Sequence, residues 1–304
     1  MMNVMKYKKI YLLFSGIVLL PGIISLLVFR LNLAVDFTGG SVFTYDISNV
    51  TSLESAEQTV KDAFSEQGVP INELVSSQDQ IEVRTEPVSS EVNDQLLQKI
   101  KESQDSISQK SFITVGSIIG RETALKAFKA LGVASLGIML YIAYAFRNIP
   151  KPYSSLRFGV SAIIAMLHDA FLLLGMFSLL GKFHGVAVDS LFITAVLTVI
   201  GFSIHDSIVV FDRIRENLKK MPSSWGFEDV VNFSIVETLN RSFATSLTVL
   251  ITLLSLFILG GESIKYFVLA LLIGIISGTY SSIFTASPIL VIWEEHILNK
   301  NKKS

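Results

Sequence analysis

The 304-residue chain is half apolar, carries 25 Lys and Arg against 26 Asp and Glu, and has no cysteine. Its charges crowd into a few segments with long uncharged stretches between them, which excludes a soluble globular enzyme and a disordered chain. A net charge of −1 gives no basic balance for nucleic acid, and without cysteine there is neither a disulfide nor a thiolate metal site.

A bilayer core about 30 Å thick needs roughly 20 apolar residues in a helix. Residues 10–29 are the first such run, with Pro21-Gly22 as an expected mid-span kink. The length of this run and the bulky Phe29-Arg30-Leu31 that follows predict a retained helix, not a cleaved signal peptide.

The next hundred residues are different in kind. Positions 31–129 hold fifteen acids and eight bases, a water-soluble, acidic stretch. Alternation predicts a strand over 42–47, with Phe43, Tyr45 and Ile47 on one face. A helix follows, opened by Thr51-Ser52-Leu53-Glu54 at capping-box spacing, with Leu53, Ala56, Val60, Ala63 and Phe64 at helical intervals. Gly68-Val69-Pro70 ends it. Strands are predicted over 71–75 and 80–85, then a helix capped at Ser89-Ser90 and carrying Val92, Leu96 and Ile100, then a closing strand over 112–117. The order β-α-β-β-α-β is the ferredoxin-like, split βαβ pattern. With no nucleophile–base spacing or phosphate-binding glycine loop, the segment reads as a binding or structural module.

Five more apolar runs complete the chain: 130–146, 158–180, 191–211, 242–261 and 266–293. The expected fold is therefore a membrane protein of six transmembrane helices with a ferredoxin-like α+β domain between the first two. In residue terms the N-terminus and first helix take 1–30, the domain 31–122, the other five helices 123–293, and a basic tail 294–304. Residues 212–232 mix both signs of charge and read as a solvated loop with a short surface helix. Thirteen basic residues, among them Lys8, Arg157, Arg213 and Lys300, flank one side of the helices, whereas the short loops opposite offer only Lys182 and Lys265. This bias places both termini in the cytoplasm and the acidic domain outside, in a cytoplasmic membrane.

Ionisable groups within spanning helices are functional candidates by default. At a rise of about 1.5 Å per residue, Asp169 lies roughly 16 Å from the cytoplasmic end and Asp206 roughly 8 Å. Arg241 lies at a similar shallow depth, so Asp206 and Arg241 are expected to face one another across a helix pair. One reading is a proton relay; the other is a static pair that fixes helix register, with Glu237 competing for Arg241 at i,i+4 spacing. His168 and His205 each adjoin an aspartate and point about 100° from it, as proton shuttles or as packing residues. Asp169 is either part of the relay or a structural acid bonded to Ser or Thr of a neighbouring helix. The GxxxG spacing of Gly274 and Gly278 is expected to pack helices within the chain. No metal or cofactor site is expected.

Four stretches carry a resemblance. They are Val35-Asp36-Phe37-Thr38-Gly39-Gly40, the run from Arg157-Phe158 to His168-Asp169, the run from Gly201 through His205-Asp206-Ser207 to Asn217, and Asn240-Arg241-Ser242 through Thr248. With them the chain resembles the SecD/SecF family, on its SecF side, a relative of the RND transporters, and the match runs in order over nearly the full length. The resemblance implies an RND-like half bundle that pairs with SecD in the lipid bilayer and works with the SecYEG channel. In that setting proton flow would draw an unfolded preprotein across the membrane, with no enzymatic reaction. It implies proton-conducting roles for Asp206 and Arg241, and it marks Asp36, Phe37, Thr38, Gly39 and Gly40 as a motif at the outer end of the first helix, where the two glycines make a flexible turn or a hinge. It departs at His205, where the family usually has asparagine.

The alternative is a stand-alone RND-type exporter of lipid or small molecules, which usually carries two six-helix halves in one chain. An intramembrane aspartyl protease built on Asp169 and Asp206 fits poorly, since their depths differ by roughly 8 Å.

Overall fold

A computed structural model describes residues 3–303 except 51, 148 and 223, and only the backbone of residues 262 and 299–303. Lys300, Lys302 and Lys303 of the expected basic tail therefore lie outside the described side chains. The chain divides into two compact units, Leu33–Lys129 and the residues up to Asn32 together with those from Ala130 onwards.

The first span is α1 (Lys8–Val28). A short turn of helix, α2 (Val35–Thr38), opens the Leu33–Lys129 unit. There follow β1 (Gly40–Asp46), α3 (Leu53–Glu66), β2 (Ile71–Ser76), β3 (Gln80–Thr85), α4 (Ser90–Ser103) and β4 (Ser108–Val115). The sheet order is β2-β3-β1-β4 with every neighbour antiparallel, so β3 lies between β1 and β2. That is the expected ferredoxin-like fold.

Its core follows from the period-two pattern. Phe43 and Tyr45 pair with Val83 and Ile81, and all four are fully buried with Phe64, Leu96 and Ile100 from the two helices. Phe43 and Phe64 meet edge to face at 5.0 Å. Each such side chain contributes about 2–3 kcal/mol on burial.

Two expectations at the ends of elements change. Helix α3 begins one residue later than the capping-box spacing implies, so the cap is Ser52, whose Oγ accepts from Ser55 N at 3.4 Å; Thr51 lies outside the described residues. Leu53, expected in the core, is exposed at the first turn. The closing strand starts at Ser108, four residues before the expected position. A bulge between Thr44 and Tyr45 shifts its register on β1 and so breaks the alternation that would have revealed it.

Among the described residues six helices are long and apolar enough to cross a membrane. After α1 come α5 (Ser117–Ala145), α6 (Ser155–His184), α7 (Ser190–Lys220) and α8 (Phe227–Leu259). The sixth is composite: α9 (Glu262–Ser281), a π turn over Ser282–Ala286, and α10 (Ser287–Lys303). Pro288 follows the π turn and has no N–H to give to the preceding turn. The predicted solvated loop is mostly helix. Ion pairs at i,i+3 and i,i+4, namely Arg213–Glu216, Arg215–Asp212 and Lys220–Glu216, carry α7 on to Lys220. Asp229 then accepts from Gly226 N at 3.1 Å and starts α8.

Close backbone approach organises the spans. α1 runs on through Pro21, and a Cβ on Gly22 would lie 3.1 Å from Gly175 Cα, so α1 and α6 touch at glycine. Gly274 and Gly278 pack α9 onto Val199 and Ser203 of α7, the expected packing within the chain. Ion pairs gather the start of α1 and α8 with the end of the chain. Lys8 Nζ is 2.7 Å from Glu228 and 2.8 Å from Glu295. Arg157, at the start of α6, donates to the fully buried Glu294 at 2.8 Å.

Candidate functional site

Buried polar side chains concentrate where α6, α7, α8 and α9 meet. Asp169 of α6 is completely buried. Its Oδ2 accepts from Ser203 of α7 at 2.6 Å and from Ser281 of α9 at 2.5 Å, while its Oδ1 accepts from Ser277 of α9 at 2.6 Å. A buried carboxyl is tolerable in a helix bundle because hydroxyls replace its water.

Asp206, one turn beyond Ser203 on α7, is also buried. Its Oδ1 accepts from Ser242 of α8 at 2.9 Å and its Oδ2 from Ser282 of the π turn at 2.6 Å. Two consecutive residues, Ser281 and Ser282, therefore serve carboxylates on two different helices. Consecutive helical positions diverge by about 100°, and α9 sits close enough against α7 for this because residue 278 has no side chain.

Neither partnership expected for Arg241 is that of the structure. Asp206 and Arg241 form no ion pair. Ser242 takes the inward position on α8, so Arg241, 100° around the helix, projects from the exposed face. Arg241 instead lines a cleft of about 590 Å³ with Tyr141, Asp212, Arg213, Glu237 and Thr238. Glu237 is not its partner either, being engaged by Arg213 and by Asn217 Nδ2 at 3.0 Å. Among the described residues Arg241 has no ion pair within the chain. His205 lies on the exposed side of α7, away from Asp206. His168, expected to point away from its neighbour, instead reaches it, with Nδ1 3.0 Å from Asp169 Oδ1, and among the described residues its buried Nε2 has no hydrogen-bond partner.

The expected bonding of Asp169 to hydroxyls of neighbouring helices is what the structure has; which serines supply them, and that serines also hold Asp206, is what the sequence reading missed. Ser277 and Ser281 are four apart on an apolar helix, a spacing that puts both on one face and would have signalled a buried acceptor. Ser242 and Ser282 carried no comparable signal. Among the described residues no three His, Cys, Asp or Glu side chains gather as a metal-ligand set.

The glycine motif is close-packed inside the Leu33–Lys129 unit. Phe37 is buried, Asp36 is half-buried, and Thr38 donates to the Gly39 carbonyl at 2.9 Å. Gly39 adopts φ 73°, ψ 169°, a conformation open essentially to glycine alone. A Cβ there would fall 2.6 Å from Ser117 Cα at the start of α5. Gly40, at φ 123°, would put a Cβ 2.8 Å from the Thr85 carbonyl.

Comparison with known proteins agrees with this architecture. Residues 95–296 match the family described as Protein export membrane protein SecD/SecF, C-terminal, and residues 24–48 match the SecD/SecF GG motif. Protein translocase subunit SecF of Thermobaculum terrenum is 43% identical, over 97% of this chain and 94% of its own. The subunit of that name from Anaerolinea thermophila is 37% identical, again over 97% and 94%. The crystal structure of SecDF, a translocon-associated membrane protein from Thermus thermophilus, superposes with a TM-score of 0.80 at 33% identity. That match covers 97% of this chain but only 39% of the SecDF chain. Six apolar spans, a ferredoxin-like insertion and these matches lead to one placement: this multi-pass membrane protein belongs to the SecD/SecF family.

Proposed function

We propose that this chain is the SecF half of a protein-export accessory complex, driven by the proton-motive force and not acting as an enzyme. A SecD-like chain completes the bundle, and the pair works with the SecYEG channel on an unfolded preprotein. The observation that carries this reading is the contrast between Asp206, buried and held by two hydroxyls, and Arg241, which is left without an ion pair on an exposed helix face. A single transmembrane carboxylate that gains and loses a proton, answered by a mobile guanidinium, converts a gradient into helix movement. The membrane potential supplies about 2.3 kcal/mol per charge per 100 mV, enough to bias two states a few kcal/mol apart. Asp169 and His168 form the inner part of the relay, and His205 and Arg241 the outward-facing part.

A companion half is supported by the outer surfaces of the spans. Only 6% of the most apolar window of α5 and 11% of that of α8 are buried within the chain, so lipid and a second bundle must cover the rest. Placement in the cytoplasmic membrane, with both termini inside and residues 31–122 outside, is supported by the basic bias of the short loops. Pairing of Lys8 with Glu295 keeps the two ends of the chain on the same side.

The test is gradient-dependent export in vesicles containing this chain and its companion. Asp206→Asn and Arg241→Met are each expected to abolish stimulation by a proton gradient while insertion stays normal. Full stimulation in both variants refutes the relay.

A further inference from the structure

The relay reading assigns Asp169 and Asp206 to one pathway, yet they lie on different helices and take their hydrogen bonds from different serines. What joins them is the junction between α9 and the π turn. Ser281 Oγ is 2.5 Å from Asp169 Oδ2 and 3.3 Å from the Gly278 carbonyl. Ser282 Oγ is 2.6 Å from Asp206 Oδ2 and 3.1 Å from the Thr279 carbonyl. Each hydroxyl has one proton and two acceptors, a carboxylate and the backbone oxygen three residues earlier. Each is a two-position device.

We infer that Ser281 and Ser282 are positioning residues which bind Asp169 and Asp206 into a single coupled pair, with the π turn as the moving part. The inference rests on the relay reading for its purpose. The sequence of events follows from proton inventory. With Asp206 ionised, Ser282 donates to Oδ2. When Oδ2 takes a proton, the carboxylic O–H donates to Ser282 Oγ, and the serine proton turns to the Thr279 carbonyl. No group is left unpaired, but the backbone bond pattern at the head of the π turn changes. Ser281 is the adjacent residue, so its hold on Asp169 changes with it. A π turn is suited to this, being a local irregularity of the ladder that is frequent at functional sites. A second, stiffer link runs along α7, where Ser203 donates to Asp169 one turn before Asp206.

The titratable surroundings leave the serines as the connection. His168 belongs to Asp169 itself. Among the described residues α7 adds His205 and α8 adds Arg241, both turned to the exposed side, while Glu237 of α8 is engaged by Arg213 and Asn217. The Tyr280 hydroxyl of α9 donates to the Tyr11 carbonyl of α1 at 3.2 Å. Glu294 lies further along α10 and is occupied by Arg157.

The experiment is infrared spectroscopy on the full chain with its companion. The Asp169 carboxylate band is identified by its loss in Asp169→Asn. Replacing Asp206 by Asn imitates its neutral form and is expected to displace the Asp169 band, as is Ser282→Ala; Ser282→Thr, which keeps the hydroxyl, is expected to restore it. Gradient-driven export is expected to fall about five- to tenfold in Ser281→Ala, which does not touch Asp206, and to recover in Ser281→Thr. An unmoved Asp169 band in Asp206→Asn and Ser282→Ala overturns the inference, and if export is lost in Asp206→Asn the relay itself still stands. Undiminished export in Asp206→Asn overturns the relay, and the coupling loses its purpose with it.

Discussion

Ser242 donates to Asp206 at 2.9 Å across the contact of α7 and α8, whereas Arg241, the residue before it, faces outward beside an open cleft. One helical step thus separates the side chain that bonds the carboxylate within this chain from the one that faces outward.

That division is open to chemical labelling, because the chain has no cysteine of its own. Cysteine placed at Arg241 or at His205 is expected to react with a maleimide when the chain is expressed alone. Co-expression with the SecD-like companion is expected to protect position 241. Cysteine at Ser242 stays unreactive in both cases, being buried inside the chain. Equal labelling of position 241 with and without the companion contradicts a shared interface there.

The two glycine positions of the Leu33–Lys129 unit with left-handed φ near 70° make a controlled comparison. Gly39→Ala meets both a forbidden conformation and the Ser117 backbone at 2.6 Å, and is expected to cost about 3 kcal/mol or more. Gly68, at φ 66°, has nothing within 4 Å, so Gly68→Ala is expected to cost only the left-handed strain of about 1–2 kcal/mol. Hydrogen exchange of the β1 amides in the full chain measures the difference; equal effects would mean that the motif is not a packed joint.

Contact between α7 and α9 is equally specific. A Cβ on Gly274 would fall 2.1 Å from Val199 Cγ2, and relieving such an overlap costs about 1–3 kcal/mol. Gly274→Ala is expected to lower the thermal midpoint of the purified protein, and Val199→Ala to return part of the loss in the double variant. A simple sum of the two single effects would argue against direct contact.

Tyr45 is expected to make the ferredoxin-like unit sensitive to alkaline pH. Its ring is fully buried, its hydroxyl has no hydrogen-bond partner among the described residues, and burial pushes its phenol above the ordinary range. A raised value in the folded state means that this contribution to stability is intact below about pH 10 and is lost as pH rises further. Tyr45→Phe keeps the packing and removes the orphan hydroxyl. It is expected to stabilise the unit by about 1 kcal/mol at neutral pH and to flatten the alkaline loss. Unfolding midpoints across that pH range check both effects.

Much of this protein was legible from local pattern. Uncharged runs of twenty residues mark bilayer spans whatever they pack against, because lipid forces each backbone to satisfy itself as a helix. Strand alternation and the helical spacing of Val60, Phe64, Leu96 and Ile100 likewise identified the inserted fold. The acids were found too, since a carboxylate in an apolar span is conspicuous. For Asp169 a hydroxyl from a neighbouring helix was expected and is present, but which residues partner the two acids was not legible. Depth along a helix is linear in sequence, but azimuth depends on how helices pack, so Arg241 at the right depth proved to face away while Ser242 faced in. The hydroxyls around Asp169 and Asp206 come from three helices more than thirty residues apart in the chain, and serine is too common in spans to point at an acceptor. Only the packing of glycine-faced α9 against α7, with a π turn below it, brings Ser281 and Ser282 to two different carboxylates; no local rule of sequence contains that contact.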